Sequence, residues 1–289
     1  MPKSISKIRF ELSVQNKLHA ILANNTEGAS VIELAAIELF EYILKSDKAD
    51  IKLFYDAANA VRSKFSAMAN IISLYRFVKG NFQPPELRER IAAYKKALEI
   101  DRKNTIEICA KIIGKFDSIF TLSNSSTISQ AILRAKEQGW NGKVSVVESR
   151  PIREGAILAS QLAQAGIKTE LGIDMILPDF VKLSQAMILG ADAVTPTYFV
   201  NKIGTRIAID YARTLKKPIY VVAVRSKIVS NREYKFDINI RPASEVTENH
   251  HPNLLILNRY FELVKPAGNF HYIVGHQVLQ PKEIRNLLK

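Results

Sequence analysis

Five small polar residues in a row, Ser123-Asn124-Ser125-Ser126-Thr127, stand between an apolar run ending at Leu122 and an amphipathic run starting at Ile128. Hydroxyls and backbone N–H groups gathered at the positive end of a helix dipole suit a phosphate. The same residue types cap helices, so an ordinary N-cap is the competing reading of this loop. A second apolar run ends in Glu148-Ser149-Arg150-Pro151. An arginine beside a first-turn proline can fork onto an anionic oxygen, with a Glu148 to Arg150 ion pair as the alternative. Further on come Gly190-Ala191-Asp192 and Val200-Asn201-Lys202-Ile203-Gly204-Thr205. Taken singly, Asn201 reads as a cap and Lys202 as a solvated cation. The stronger signal is convergence: serines, an arginine, an aspartate, an asparagine and a lysine all fall where apolar runs give way to helices.

The elements that would position these residues follow from apolar periodicity. From Ser6 to about Gly114 the segments read as helix; Ile32, Ala35, Ala36, Leu39, Phe40 and Ile43 keep the three-and-four spacing of one face. Pro84 and Pro85 open a long helix whose apolar seam is interrupted at Asp101 and Thr105. After Gly114 short β-rich runs alternate with amphipathic helices, the pattern of a parallel sheet with crossover helices. Strands are expected at Phe116 to Leu122, Val144 to Glu148, Thr169 to Ile173, Ala186 to Leu189 and Ile219 to Val224. The intervening helices are expected to bury Ile128, Ala131, Ile132 and Ala135; then Ile152, Ala156, Ala159 and Leu162; then Ile203, Ile207 and Tyr211. The expected fold is α/β, with a helical N-terminal domain over residues 1–114 and a doubly wound domain over 115–289. Ligands of such sheets sit beyond the carboxyl ends of the strands, where the loops above lie.

Bulk properties narrow the function. The 289 residues carry a formal charge of +13, spread as 19 Lys and Arg against 13 Asp and Glu in residues 1–115, and 22 against 15 in the rest. No basic arm or stripe forms, so the charge is read as a basic surface favouring small anions, without direct nucleic-acid binding. A single cysteine, Cys109, shares a helical face with Ile106, Ile112 and Ile113 and is read as a core thiol. His250 and His251 precede Pro252 in a turn, and His271 and His276 lie on a strand or in a loop; none has zinc-type spacing, so no metal and no cofactor is expected. Arg225, Ser226 and Lys227 read equally as phosphate contacts or as a solvated basic turn. The longest apolar run is too short for a bilayer and the start MPKSISKIRFELS lacks a secretory pattern, giving a cytoplasmic expectation with no membrane partner.

Taken in order, Ser123-Asn124-Ser125-Ser126, Glu148-Ser149-Arg150-Pro151 with Gly155, Asp174, Gly190-Ala191-Asp192 and Asn201-Lys202-Ile203-Gly204-Thr205 resemble one known group. It comprises the alpha, beta and delta subunits of eukaryotic translation initiation factor 2B, with methylthioribose-1-phosphate isomerase and ribose-1,5-bisphosphate isomerase. The resemblance covers about the last 175 residues and extends to Gly28-Ala29-Ser30 and to Arg62 with Met68 and Asn70. It implies a Rossmann-like C-terminal domain, a sugar phosphate held between the domains, and dimers or larger rings formed through the C-terminal domain. In the isomerase branch a cysteine in the first loop and the aspartate of the GAD string move a proton or hydrogen. Asp192 matches that aspartate, while Ser123 occupies the cysteine position. A serine hydroxyl needs an adjacent base, and no histidine lies in these motifs. Glu27 stands where the isomerases carry a phosphate-holding arginine, and its carboxylate disfavours a bisphosphate.

Two functions follow. One is a regulatory or assembly-forming binding protein of the initiation factor branch that holds a phosphorylated sugar or nucleotide, as a homodimer or higher oligomer with a translation-factor partner. The other is an aldose–ketose isomerase of a ribose phosphate, with Asp192 as acid and base, Ser123 and Asn124 on the reacting oxygens, and Arg62, Arg150 and Lys202 on phosphate. Ser125, Ser126 and Asn201 complete the expected ligand-binding set in either case.

Overall fold

The computed structural model describes residues 5–24, 28–45, 51–236, 241–249 and 251–288. Its chain divides into two compact units, one of residues 1–99 with 226–235 and one of residues 100–225 with 236–289. Glu27 and His250, read above from the sequence, lie outside the described residues.

The first unit is helical: α1 (Ile5–Ala23), α2 (Ala29–Lys45), α3 (Ile51–Lys64), α4 (Ala69–Val78) and the first part of α5 (Pro84–Ile113). The α2 seam packs as its spacing predicts, with Ile32, Ala36, Leu39, Phe40 and Ile43 buried. They meet Phe54, Val61, Leu74, Leu87 and Ile91 in one apolar core. Each such side chain contributes about 1.5–3 kcal/mol on burial. One carboxylate lies inside that core. Glu33 accepts hydrogen bonds from Tyr94 (2.6 Å), Asn70 (3.2 Å) and Ser226 (3.3 Å). Burial pushes its carboxyl above the ordinary range, against those three hydrogen bonds and the Lys227 charge. The Ser226 hydroxyl is therefore committed to Glu33.

The second unit holds the end of α5, β1 (Ser118–Leu122), α6 (Ser126–Glu137), β2 (Lys143–Val147), α7 (Glu154–Gln164), β3 (Lys168–Gly172), α8 (Leu177–Leu183) and β4 (Ala186–Gly190). There follow β5 (Ala193–Val194), β6 (Phe199–Lys202), α9 (Thr205–Thr214), β7 (Ile219–Val222), β8 (Phe261–Val264), β9 (Phe270–Val274) and β10 (Gln277–Leu279). Among the described residues the main sheet runs β10-β9-β7-β4-β1-β2-β3. It is parallel except at β10, which returns antiparallel along β9. This is the doubly wound order, and the chain reverses direction of travel between β1 and β4. The crevice beyond those two carboxyl ends is where such a sheet takes a ligand. A smaller antiparallel sheet, β5-β6-β8, carries Asn201 and Lys202 opposite Glu262 and Phe261.

The five expected strands are β1, β2, β3, β4 and β7, each within two residues of its expected ends. Two helical expectations need correction. The buried side of α9 is Thr205, Ala208, Ile209 and Ala212, while Ile203 and Ile207 are exposed. On α7 the buried residues are Gly155, Leu158, Ala159 and Leu162; Ile152 precedes the helix and is exposed. In both cases small residues face inward because the helix lies close to its neighbours, which apolar counting cannot register. Asp101 and Thr105 interrupt the apolar seam of α5 as expected, and the helix runs on through them. Thr105 is fully buried and accepts the Gly275 N–H at 2.8 Å, and Asp101 accepts the Arg225 N–H at 2.6 Å. Polar residues in the seam therefore tie the helix to the turns after β7 and β9. Cys109 is fully buried beside Ala110, Ile112 and Ile113.

Candidate functional site

The loops after β1 and β2 are locked to each other by backbone geometry. Ser123 and Ser149 adopt left-handed conformations, with φ of 65° and 62°. Non-glycine residues there cost about 1–3 kcal/mol and persist only when neighbours over-determine them. The neighbours are visible. Ser123 N–H donates to Ser149 Oγ at 2.9 Å, and that hydroxyl donates to the Val147 carbonyl at 3.2 Å. The Asp174 carboxylate, just beyond β3, accepts the N–H groups of Ser149 and Arg150, each at 2.8 Å. Glycine is required at 155, since a Cβ there would lie 1.8 Å from the Val147 carbonyl oxygen.

The β1, β4 and β6 ends meet at Gly190. A Cβ on Gly190 would fall 3.0 Å from Ser125 Cβ, 3.2 Å from its Oγ and 3.9 Å from Asn201 Oδ1. Ser125 stands at the N-cap of α6, yet its side chain makes no capping bond. The N-cap reading of this loop therefore does not account for the Ser125 hydroxyl. Ser126 Oγ accepts from Arg102 at 3.3 Å, Ser123 is half-buried, and Asn124 is exposed. Asn201 is buried and donates to Thr205 Oγ1 at 2.9 Å, which itself bonds the Lys202 carbonyl at 2.6 Å. It lies within β6, so it is not a helix cap. Asp192 is half-buried, between β4 and β5, and its N–H donates to the Val200 carbonyl at 2.8 Å.

Lys202 corrects the expectation of a solvated cation. Its residue is 1% exposed, its Nζ lies 2.6 Å from Glu154 Oε1, and it sits 4.8 Å over the Tyr260 ring. Tyr260 in turn donates to Glu245, which also accepts from Asn258 at 2.7 Å. Burial first, then the Glu245 hydrogen bond and charge, hold the Tyr260 hydroxyl far above its ordinary range. Glu154 Oε2 is buried without a hydrogen-bond partner. Arg150 also departs from its alternative reading. Glu148 approaches Arg153 at 3.6 Å, whereas Arg150 directs one terminal nitrogen to the carbonyls of Glu245 (3.5 Å) and Val246 (3.3 Å). Arg62 is in the helical unit, at the end of α3, where it donates to the Ser66 carbonyl at 3.2 Å.

Of the residues singled out in the sequence, Ser123 joins Arg150 through Ser149 after β1 and β2, while Ser125 meets Asn201 of the smaller sheet across Gly190, with Lys202 next to Asn201 on β6. Hydroxyls, the α6 N-terminus and a guanidinium make this rim of strand ends suited to an anionic oxygen. Glu154 and Tyr260 are structural partners that sequence patterns did not single out, and Asp174, named there with the motifs, takes its place as the clamp on Ser149 and Arg150. Asp174 follows a strand as Asp192 does, which is the one local cue; Glu154 and Tyr260 have none, because their partners are far away in the chain.

The sequence matches the initiation factor 2 subunit family over residues 15–267. A Pyrococcus horikoshii protein named as translation initiation factor eIF-2B subunit 2-like is 31% identical over 202 residues, which cover 68% of this chain and 72% of its own. The ribose 1,5-bisphosphate isomerase of Pyrococcus furiosus is 29% identical over 199 residues, 63% of this chain and 59% of its own. The crystal structure of the Pyrococcus horikoshii translation initiation factor eIF-2B superposes with a TM-score of 0.80 at 25% identity, over 95% of this chain and 98% of that one.

Proposed function

Since the chain belongs to the initiation factor 2 subunit family, we propose that it holds a phosphorylated sugar or nucleotide at the carboxyl ends of β1, β2 and β4 without converting it, and assembles with further subunits. The observation that carries this reading is the interlocked rim: the Ser123 to Ser149 bond, the Asp174 clamp on Ser149 and Arg150, and Gly190 packed against Ser125 and Asn201. Bonds already made within the protein fix the loops, so a phosphate there meets donors that need little reorganisation. The absence of a thiol at Ser123 and of any histidine in these loops favours binding over proton transfer. Assembly is supported by the relative named as a subunit and by exposed Ile173, Met175, Ile203 and Ile207 in the α/β unit, large apolar residues costly to leave in water. A cytoplasmic location and a translation-factor partner accompany this reading.

A thermal-shift panel of sugar monophosphates and nucleotides on the purified chain tests it. A ligand at about a hundred times its Kd adds about 2.7 kcal/mol of stability. At least one anion is expected to raise the melting temperature without being consumed, and Asp192→Asn is expected to retain that shift. No shift across the panel refutes the proposal. One observation supports the alternative of an aldose–ketose isomerase: Asp192 is a half-buried carboxylate one residue from the packed Ala191, on the loop after β4. Formation of a ketose with solvent deuterium incorporated, abolished in Asp192→Asn, would establish it.

A further inference from the structure

The Lys202–Glu154 pair contains an asymmetry that a plain buried ion pair would not. Oε1 of Glu154 takes the Lys202 ammonium at 2.6 Å, while Oε2 is buried and accepts nothing. Buried acceptors without a donor are rare in folded proteins and mark a place where a partner belongs. Both members of the pair neighbour rim residues in the chain, Glu154 on the first turn of α7 after β2 and Lys202 at the end of β6. Lys202 follows Asn201, which faces Gly190 and Ser125; Glu154 precedes Gly155, where a Cβ would come 3.0 Å from Ser149 Oγ. Tyr260 covers the ammonium from a third side, its own hydroxyl committed to Glu245.

We infer that Glu154 is a specificity-determining residue of this rim, selecting a sugar monophosphate with a free hydroxyl end over the corresponding bisphosphate; this rests on the rim being the sugar-phosphate site proposed above. Two consequences of the geometry carry it. The carboxylate cancels the Lys202 charge, so a second phosphate approaching that side meets no net cation and is repelled by the nearer oxygen. A carboxylate oxygen such as Oε2 can only accept a hydrogen, so the group it recognises is a donor such as a sugar hydroxyl. A site built to bond a hydroxyl rejects a ligand lacking it, because its own polar group is then left unpaired.

Calorimetric titration of the full chain with ribose 5-phosphate and with ribose 1,5-bisphosphate tests this. The wild type is expected to bind the monophosphate on the order of tenfold more tightly or better, and Glu154→Gln, which frees the Lys202 charge, to shift the ratio by at least that factor toward the bisphosphate. Should that variant not fold, Glu154→Gln with Lys202→Met removes both charges and is expected to lose the preference. A wild type that binds both ligands alike, or a preference unchanged in the variants, overturns the inference alone. Failure of the wild type to bind either ligand overturns the sugar-phosphate site as well.

Discussion

Replacing Asp174 by asparagine strikes the joint on which the rim depends. The carboxylate holds two consecutive amides, those of Ser149 and Arg150, each at 2.8 Å. Hydrogen bonds to an ionised acceptor contribute about 1.5–3 kcal/mol each. Asparagine keeps one carbonyl acceptor and turns an amide NH2 toward the other backbone N–H, so one bond is lost and a donor faces a donor. Asp174 is only half-buried, which places the cost at the low end, about 2–3 kcal/mol. For a unit of this size that lowers the melting temperature by about 4–12 °C. The effect on binding is expected to exceed the effect on stability, because Ser149 and, through it, Ser123 are held in left-handed conformations by this network. Differential scanning calorimetry with and without ribose 5-phosphate measures both, with Asp179→Asn as the control, an exposed carboxylate on the first turn of α8. An Asp174→Asn protein that melts with the wild type and retains the full ligand shift would refute the reasoning that this carboxylate organises the rim.

Three further outcomes are expected. Burial raises the Glu33 carboxyl above its ordinary 4.5, so between that value and its folded value the folded state binds more protons than the unfolded one. Stability of the helical unit therefore falls as pH rises through that window, and Glu33→Gln removes the slope; amide exchange in α2 as a function of pH would show it, and a slope unchanged in the variant would contradict it. Gly155→Ala would set a methyl 1.8 Å from the Val147 carbonyl, so α7 must move, at a cost of at least about 4 kcal/mol; urea denaturation of a variant within 1 kcal/mol of wild type would contradict this reading. Burial pushes the Cys109 thiol up to about 12, so a thiol reagent at pH 8 is expected to label it only in denaturant, and stoichiometric labelling of the folded chain would show the site is open.

The architecture was legible where sequence period and burial coincide. The central strands β1, β2, β4 and β7 are apolar because they are buried on both faces, and the α2 seam is regular because one side of it faces a core. Legibility failed where contact is made by small or polar side chains. The α9 surface that packs is Thr205, Ala208, Ile209 and Ala212, mostly small, while the isoleucines that drew attention, Ile203 and Ile207, point to solvent. The β5-β6-β8 sheet escaped notice because β5 has two residues and the β8 strand alternates weakly. In the site, the loop residues themselves were readable from their position after apolar runs. Their couplings were not: Ser149 to Ser123 spans 26 positions, Lys202 to Glu154 spans 48, and Arg150 to Glu245 spans 95. Lys202 shows the limit most clearly, since nothing adjacent to a lysine in sequence announces a carboxylate and an aromatic ring that will bury it.

The central claim is that the rim loops of one sheet form a single anion-binding site, and Arg150 tests it most directly. Calorimetric binding of ribose 5-phosphate to the wild type and to Arg150→Ala at two salt concentrations is the measurement. Saturable binding that weakens at least about tenfold in the variant, and loses much of its salt dependence there, is the predicted result. Equal affinity and equal salt dependence in the two proteins would place the ligand elsewhere on the molecule and contradict the account.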